Sequence, residues 1–369
     1  MPLLGTFGAA SAGGFGQGKG GSPFVEASGG TETTSGDYKV HTFASPGTFS
    51  VSNAGDGDSA NLVDYFVVAG GGGGGNNGYP QQRSGGAGGG GGFRLSNGTG
   101  QVAAPVMSPL AAPAGLAVTK QDYTITVGAG GGGQPATNSG QYSGYRGADS
   151  IFSSITSTGG GGGGGHPLIS GGPSPVPAGP NTGGSGSGGN SVVAGNTPPT
   201  SPPQGNPGGP GIAQPPSTFS CGGGGGAGAA GGAISGTTGG AGGIGSFVAD
   251  AVGSATPTAY GTPGPVSNTR YFSGGGGGIS GGAASPAGGG TAFGGSNAAD
   301  NTGGGGGGEN FNAGSAAAGG SGIVVLASPP VADIAGALPV AAFAIVNSLT
   351  AEPVVVNEIC SLEFSSRIP

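Results

Sequence analysis

The chain has 369 residues, of which 99 are glycine and 30 are proline, a composition typical of low-complexity or disordered protein. Only 6% of the residues are charged, however, whereas disorder driven by charge repulsion needs a high net charge. The net charge is −7 and the basic residues form no patch, which argues against nucleic acid and anionic membrane surfaces as partners.

The remaining composition argues against several further classes. Cys221 and Cys360 lie far apart without metal-ligand spacing, so we expect free thiols, no metal site and no cofactor. The N-terminus has neither a basic region nor a sustained apolar core, and we expect no secretory signal. Residues 330–346 form the one long apolar stretch, but Asp333 and Pro339 interrupt it and it is shorter than the roughly 20 residues of a membrane span. We interpret it as a buried strand or an interface.

In chain order, residues 1–30 form a small, glycine-rich segment with Phe7, Phe15 and Phe24 spaced through it. Isolated aromatic residues in such a background are typical of an arm that docks onto another protein, and an untethered tail is the alternative. We therefore designate residues 1–30 an N-terminal attachment arm.

Residues 31–69 are predicted to form a small β-sheet region. Tyr38–Phe43 and Thr48–Val51 are rich in residues that favour strands, and Pro46-Gly47 between them signals a turn. This pattern predicts a hairpin. Leu62–Ala69 would supply its third strand, and three strands are about the minimum for an independently stable sheet.

The strand pattern of Leu62–Ala69 passes directly into six consecutive glycines, Gly70–Gly75. Further glycine runs begin at residues 88, 130, 159, 222, 274 and 303, and several follow a short β-like segment. The irregular spacing of the runs excludes a solenoid of fixed period. No Asp, Glu, Lys or Arg lies between Asp149 and Asp250, which suits a segment that packs against itself.

A bundle of polyglycine-II helices explains such runs. This left-handed helix has three residues per turn and no internal hydrogen bonds, so its amides need partners on neighbouring helices, and only glycine allows close approach on every side. We predict an all-β and irregular fold: short antiparallel strands lead into a polyglycine-II bundle over residues 70–327, with essentially no α-helix. Residues 328–369 form an apolar C-terminal segment, which we interpret as strands or an oligomer interface.

The order of the sequence blocks resembles a known family. The blocks GDYKVHTFASPGTFSV, VDYFVVAGGGGGG, DYTITVGAGGGG, GADSIFSSITSTGGGGGG and GSGIVVL follow one another as in the glycine-rich domain of bacteriophage tail-fibre and other virion structural proteins. The similarity covers about residues 29–326, and the C-terminal tail has no counterpart in it. The resemblance implies a structural or host-recognition protein located in the virion. In the related tail-fibre tip adhesins, polyglycine-II bundles present variable loops to the bacterial surface.

Loops on a rigid scaffold are the expected place for binding residues. Tyrosine and arginine are favoured contact residues because they combine a large area with hydrogen bonding. The candidate receptor-contact residues lie in two loops, 76–84 and 134–149, with solvated loop tips as the alternative: Tyr79, Gln81, Gln82, Arg83, Tyr142, Tyr145 and Arg146. Ser246–Phe272 is a further candidate, and Pro198–Pro216 is interpreted as a stiff spacer.

No catalytic pattern is present, and we expect a protein that is not an enzyme. His41 and His166 belong to no HExxH motif and read as structural residues. Residues 13–19 match the spacing of a phosphate-binding loop but lack the following Ser or Thr and the flanking strand and helix. Asp56 and Asp58 have too few neighbouring oxygens for a calcium site and suit a polar turn.

These observations favour a bacteriophage virion protein, a tail-fibre or surface-appendage component that takes part in host recognition through loops. Its expected partners are other virion proteins, a host cell-surface glycan or an outer-membrane protein, and copies of itself, with a trimer as the expected oligomer. The alternatives are a structural or decoration protein of the particle without receptor binding, a freestanding glycine-rich ice-binding or cell-wall protein, and a disordered elastomeric matrix protein.

Overall fold

The computed structural model describes residues 24–35, 38–55, 61–77, 85–97, 108–135, 141–164, 182–189, 192–214, 218–249, 260–267, 269–279, 281–292, 294–309 and 314–328. All of them belong to one compact unit, Met1–Val331. A second unit, Ala332–Pro369, and the arm before Phe24 lie outside the described residues, as do the predictions made for them.

The described part of the chain is all-β, without α-helix, as predicted. Its strands are β1 (Val25–Ser28), β2 (Thr31–Ser35), β3 (Tyr38–Phe43), β4 (Gly47–Ala54), β5 (Leu62–Val68), β6 (Asn76–Asn77), β7 (Phe93–Ser96), β8 (Ala111–Ala112), β9 (Leu116–Ala117), β10 (Asp122–Thr126), β11 (Gln141–Tyr142), β12 (Ser150–Phe152), β13 (Ile155–Ser157), β14 (Ile212–Gln214), β15 (Thr218–Ser220), β16 (Ser246–Ala249), β17 (Thr269–Phe272) and β18 (Ile323–Ser328).

Two sheets form a β-sandwich. The first has the strand order β1-β4-β10-β12-β13, and the second has the order β2-β3-β18-β5-β7-β8 with β9 also paired to β5. Alternate residues of both sheets point into one apolar core, where Phe49 and Phe152 of the first sheet pack with Leu326 of the second. The rings of Phe49 and Phe152 meet edge to face, with centroids 6.0 Å apart.

The second sheet is buried on its other face too. Phe66 of β5 packs there against Phe93 of β7 and Phe272 of β17, with ring centroids 5.2 Å and 4.8 Å from its own. The hairpin of β16 and β17 therefore forms a third layer over this sheet. A strand that is covered on both faces has no solvent side, which explains the mostly apolar sequences of β5, where Asp64 is the exception, and of β18, which ends at Ser328.

The predicted strands at Tyr38–Phe43, Thr48–Val51 and Leu62–Ala69 are present, but the predicted hairpin is wrong. β3 pairs with β2 and β18, whereas β4 pairs with β1 and β10 in the other sheet. The turn before Gly47 carries the chain from one sheet to the other. β5, in turn, pairs with β18 rather than with β3. Proline and glycine predict the turn, but they do not decide whether the strands on its two sides pair with each other.

Beyond Val68 the backbone leaves the sheet and enters a glycine lattice. The amides of residues 70, 71 and 72 donate to three different neighbouring segments, and those of residues 73, 74 and 75 return to the same three segments in the same order, with N···O distances of 2.8–3.0 Å. Their acceptors are Ala148, Gly320, Gly89, Tyr145, Ala317 and Gly86. The direction of bonding therefore repeats every three residues, as a three-residue helix requires. None of these glycines has a positive φ, which makes the helix left-handed.

The carbonyls of the same helix accept from three further segments, so residues 70–75 have six neighbours. Around the ring these are residues 85–92, 158–164, 143–149, 128–134, 314–321 and 303–309, and in this order each segment bonds to the next and the last bonds to the first. Residues 85–92 and 221–228 are surrounded in the same way by six segments. The predicted polyglycine-II bundle is thus present, and residues 70–75, 85–92 and 221–228 are among its interior helices.

The pairing of strands continues into the lattice without a slip. Ile323 of β18 lies opposite Val68 of β5, and beyond them the amide of Gly71 bonds to Gly320 and that of Gly74 to Ala317. Each step of three residues along one chain thus matches three residues along the other. A strand contacts the same neighbour at every second residue, and a lattice helix does so at every third.

Residues 70–75 have no room for a side chain. A Cβ atom added at any residue from 70 to 75 would lie less than 3.0 Å from a backbone carbonyl oxygen of a neighbouring helix. At Gly132, on the outside of the bundle, the nearest atom to an added Cβ is Cδ2 of Tyr145, at 3.5 Å. Glycine is therefore required at residues 70–75, inside the bundle, but not at position 132 on its outside.

We expect Gly72→Ala to destabilise the protein by about 3 kcal/mol or more, because backbone of Gly161 and Gly160 must move to admit the methyl group. Gly132→Ala is the matched control, and it should change the free energy of unfolding by about 0.5 kcal/mol or less. Chemical denaturation of both variants measures the difference. Equal stabilities would contradict the close packing described for residues 70–75.

His41 lies in β3 with its ring buried between the sheets against Phe49, at a centroid distance of 5.0 Å. Its Nδ1 donates to the carbonyl of Gly29 at 2.8 Å, and its Nε2 has no partner among the described residues. Burial lowers the pKa of His41, since a second proton would charge a ring that is shielded from water. Glu32 and Lys39, paired with each other at 2.8 Å, are the charged groups near it.

The free energy of unfolding is expected to fall as the pH drops below the ordinary histidine pKa of 6.5, because the unfolded chain then binds a proton that the folded chain resists. Denaturant titrations between pH 5 and pH 8 test this expectation. His41→Gln should flatten the dependence, while His166→Gln, outside the described residues, serves as the control. An unchanged slope in His41→Gln would contradict the assignment.

Candidate functional site

The unit has two distinct ends. Val25 pairs with Ala54 and Ser328 pairs with Lys39, at the end of the sandwich that points away from the lattice. The chain therefore enters and leaves the described unit at the same end. At the opposite end, which we call the far end, residues 70–75 stop at β6 and residues 128–134 stop at Pro135.

At the far end, two strands join the bases of the two candidate loops. Asn76 and Asn77 of β6 pair with Tyr142 and Gln141 of β11 in a two-stranded antiparallel ladder. The Asn76 side chain is buried, and its amide nitrogen donates to the carbonyl of Gly314 at 3.0 Å. Loops 78–84 and 136–140 therefore begin from one fixed platform, which is also tied to the segment that leads into β18.

The structure separates the predicted contact residues into groups. Tyr142 lies in β11 at the far end. Tyr79, Gln81, Gln82 and Arg83 belong to a loop outside the described residues, whose base is β6. Tyr145 and Arg146, in contrast, belong to an outer lattice helix, because the amide of Tyr145 donates to Gly132 and its carbonyl accepts from Gly73.

Tyr145 and Arg146 lie on a flat surface that we call the side wall, formed by residues 128–135 and 143–149. Every third residue of each helix faces outward: Ala129, Gly132, Pro135, Tyr145 and Ala148. The Tyr145 side chain is 44% exposed and is the only large apolar side chain exposed on this wall. The neighbouring Arg146 donates from Nη2 to Oδ1 of Asp149 at 2.7 Å, and the same oxygen accepts from the amide of Gly159 at 2.8 Å.

Sequence reasoning missed this wall because residues 143–149 contain no glycine run. A usable signal is present, however: Gly144 and Gly147 are three residues apart and place their Cα atoms against the carbonyls of Gly73 and Gly70. Outer helices need glycine only on the side that faces the bundle. The positions in between are free to carry large side chains such as that of Tyr145.

Residues 198–214, predicted as part of a stiff spacer, form an ordered turn and a lattice helix instead. The Asn196 side-chain oxygen accepts from the amides of Thr200 and Gln204 at 3.0 Å and 3.1 Å. Gly209 then donates to Gly223 of an interior helix. Proline fits here because, in this conformation, an outward-facing amide needs no acceptor within the bundle.

The described residues contain no group of three or more His, Cys, Asp or Glu side chains that could hold a metal ion. No helix in that part of the chain is long and apolar enough to cross a membrane. His41 has the structural setting expected of it. His166, Asp56, Asp58 and residues 13–19 lie outside the described residues.

Removing the side-chain bond between Asn76 and Gly314 at the far end should destabilise the protein. We expect Asn76→Ala to lower the free energy of unfolding by about 1–3 kcal/mol, because the partly buried carbonyl of Gly314 loses its hydrogen-bond donor. Asn297→Ala, which removes an exposed bond to the amide of Ala318, is the control and should cost less. A thermal unfolding series compares the two, and equal losses would contradict the anchoring role of Asn76.

Comparison with known proteins supports the glycine-rich character of the chain. No curated protein sequence matches the chain. The model of a protein family described as a glycine-rich domain matches residues 44–328, which is most of the chain and includes the interior helices and β18. The chain belongs to this glycine-rich domain family.

Proposed function

We propose that this protein is a structural component of a bacteriophage particle, a tail fibre or surface appendage that contacts the host through its far end. The supporting observation is the polarity of the unit, in which the chain enters and leaves at Val25 and Ser328 while β6 and β11 hold loops at the opposite end. Such an arrangement suits attachment at one end and recognition at the other.

The lattice suits this task because it is rigid and because its interior glycines present no side chains for recognition. In residues 70–75 every amide and carbonyl is bonded, so this stretch of backbone has no freedom to adapt. Binding groups on a rigid element lose less entropy when they engage a partner. Changes in the loops would therefore alter specificity without altering the scaffold.

The contact residues that we propose for the far end are Tyr142 and the loop residues Tyr79, Gln81, Gln82 and Arg83. Tyrosine and arginine combine an aromatic or planar face with hydrogen-bond donors, which suits a cell-surface glycan or the polar rim of an outer-membrane protein. Other virion proteins would hold the opposite end, and we propose a homotrimer as the assembled form.

The experiment is an adsorption assay with particles that carry substituted chains. We expect the far-end set Tyr79→Ser, Arg83→Ser and Tyr142→Ser to reduce the adsorption rate at least about tenfold when combined, since a few anchor residues, enriched in tyrosine and arginine, typically supply most of the binding energy. The wall set Tyr145→Ser and Arg146→Ser is the matched control. Equal copy number in purified particles must accompany the comparison.

Unchanged adsorption in particles that contain the normal amount of the far-end variant would overturn host contact and leave a structural or decoration role. Absence of the chain from purified particles would overturn the virion assignment itself. In that case a freestanding glycine-rich protein of ice-binding or cell-wall type becomes the function to test.

A further inference from the structure

One edge of the sandwich is closed by a short crossover between its two sheets, residues 27–30. β1 is an edge strand of the first sheet, β2 is an edge strand of the second, and the crossover connects them. Gly29 and Gly30 both have positive φ angles, and Cβ atoms added to them would collide with the carbonyl oxygens of Thr48 and Thr42, respectively. Because Thr48 belongs to the first sheet and Thr42 to the second, the crossover packs tightly against both sheets.

Three side chains of β2 and β3 hold the crossover in place. Lys39 Nζ donates to the carbonyl of Ala27 at 2.7 Å, and Glu32 Oε1 accepts from the amide of Gly29 at 3.1 Å. His41 Nδ1 donates to the carbonyl of Gly29 at 2.8 Å. The side chains of Lys39 and Glu32 are 42% and 38% exposed, whereas that of His41 is fully buried. Of the three side chains, His41 is therefore the one that the crossover shields from water.

The buried ring can take a second proton only at a high cost. A carbonyl oxygen only accepts hydrogen bonds, so the neutral ring of His41 carries its proton on Nδ1, which bonds to Gly29. Nε2 has no partner in the part of the chain that the structure describes. A proton on Nε2 would therefore place a positive charge and a donor without an acceptor inside the sandwich.

The other groups around the ring do little to offset this cost. Among the described residues, the charged groups near His41 are Glu32 on β2, with Oε1 at 3.8 Å from Nδ1, and Lys39 on β3, and they act on the ring in opposite directions. β4 places the ring of Phe49 against it, the residue opposite it on β18 is Leu326, and the crossover carries no charge. Burial is the main cause that lowers the pKa of His41.

We propose that the crossover is an acid-sensitive latch: a proton on His41 releases residues 27–30 and β1 from the edge of the sandwich while the rest of the unit stays folded. Edge strands open at a lower free energy than central strands, and opening here brings water to the buried ring. β1 pairs with β4, so its release also uncovers the edge of β4. The latch is independent of the host contact proposed for the far end.

The test is amide hydrogen exchange of the full chain at pH 5 and pH 7.5, with each rate divided by the intrinsic rate of that amide at the same pH. Residues 25–30 should be at least about tenfold less protected than β18 at both values, because they exchange through a local opening. Their own protection should fall about tenfold at pH 5, because the open latch binds a proton below the ordinary histidine pKa of 6.5.

Two variants identify the group that takes up the proton. His41→Gln keeps a donor for the carbonyl of Gly29 but does not titrate, so protection of residues 25–30 should become equal at the two pH values. Glu32→Gln is the matched control, because it removes the neighbouring carboxylate and leaves the imidazole, so the fall at pH 5 should remain.

Three results would each overturn the latch. Protection of residues 25–30 equal to that of β18 would mean that they open only with the whole unit. Protection that does not change between the two pH values would mean that His41 stays covered when β1 opens. A fall at pH 5 that persists in His41→Gln would assign the proton to another group. If His41→Gln fails to fold, the comparison of β1 with β18 in the wild-type chain decides.

Discussion

The structure depends on the 120° rotation between successive amides of a three-residue helix. In a strand, amides alternate between two directions and hold two neighbours, whereas Gly70–Gly75 bonds to six. This contact needs a backbone without side chains, so glycine forms the core of the lattice as apolar residues form the core of the sandwich. The two cores are continuous, because β5 passes from one into the other without a change of register.

The sequence allows the elements to be predicted better than their partners. β-branched and aromatic runs predict β3 and β5, and repeated glycine runs predict the lattice, because both patterns are local. Glycine runs carry no side chains to choose a neighbour, so nothing within residues 70–75 indicates which six segments surround it. That choice is made by flanking strands such as β18, whose side chains fix the register. The hairpin predicted for β3 and β4 was wrong because their partners, too, are distant strands: β3 pairs with β18, and β4 pairs with β10.

The candidate site shows the same division. Loops on a rigid scaffold were predicted from composition, and the structure brings the bases of two of them together through β6 and β11. The position of Tyr145 and Arg146 could not be predicted, because an outer helix resembles a loop when only Gly144 and Gly147 face the bundle. Exposure of a side chain therefore has different meanings on the far end, where β6 and β11 form the bases of loops, and on the side wall, where the side chain belongs to an outer lattice helix.

The central position of β18 sets an order of events during synthesis. β18 lies between β3 and β5, and Leu326 pairs with His41 across almost the whole domain. Until the ribosome has released residue 328, β3 and β5 have no strand between them, and each has an edge of unpaired backbone amides and carbonyls. The second sheet is therefore completed last, by contacts of long sequence separation, which form slowly. A chain truncated before Ile323 would retain its glycines but not the sheet that aligns them.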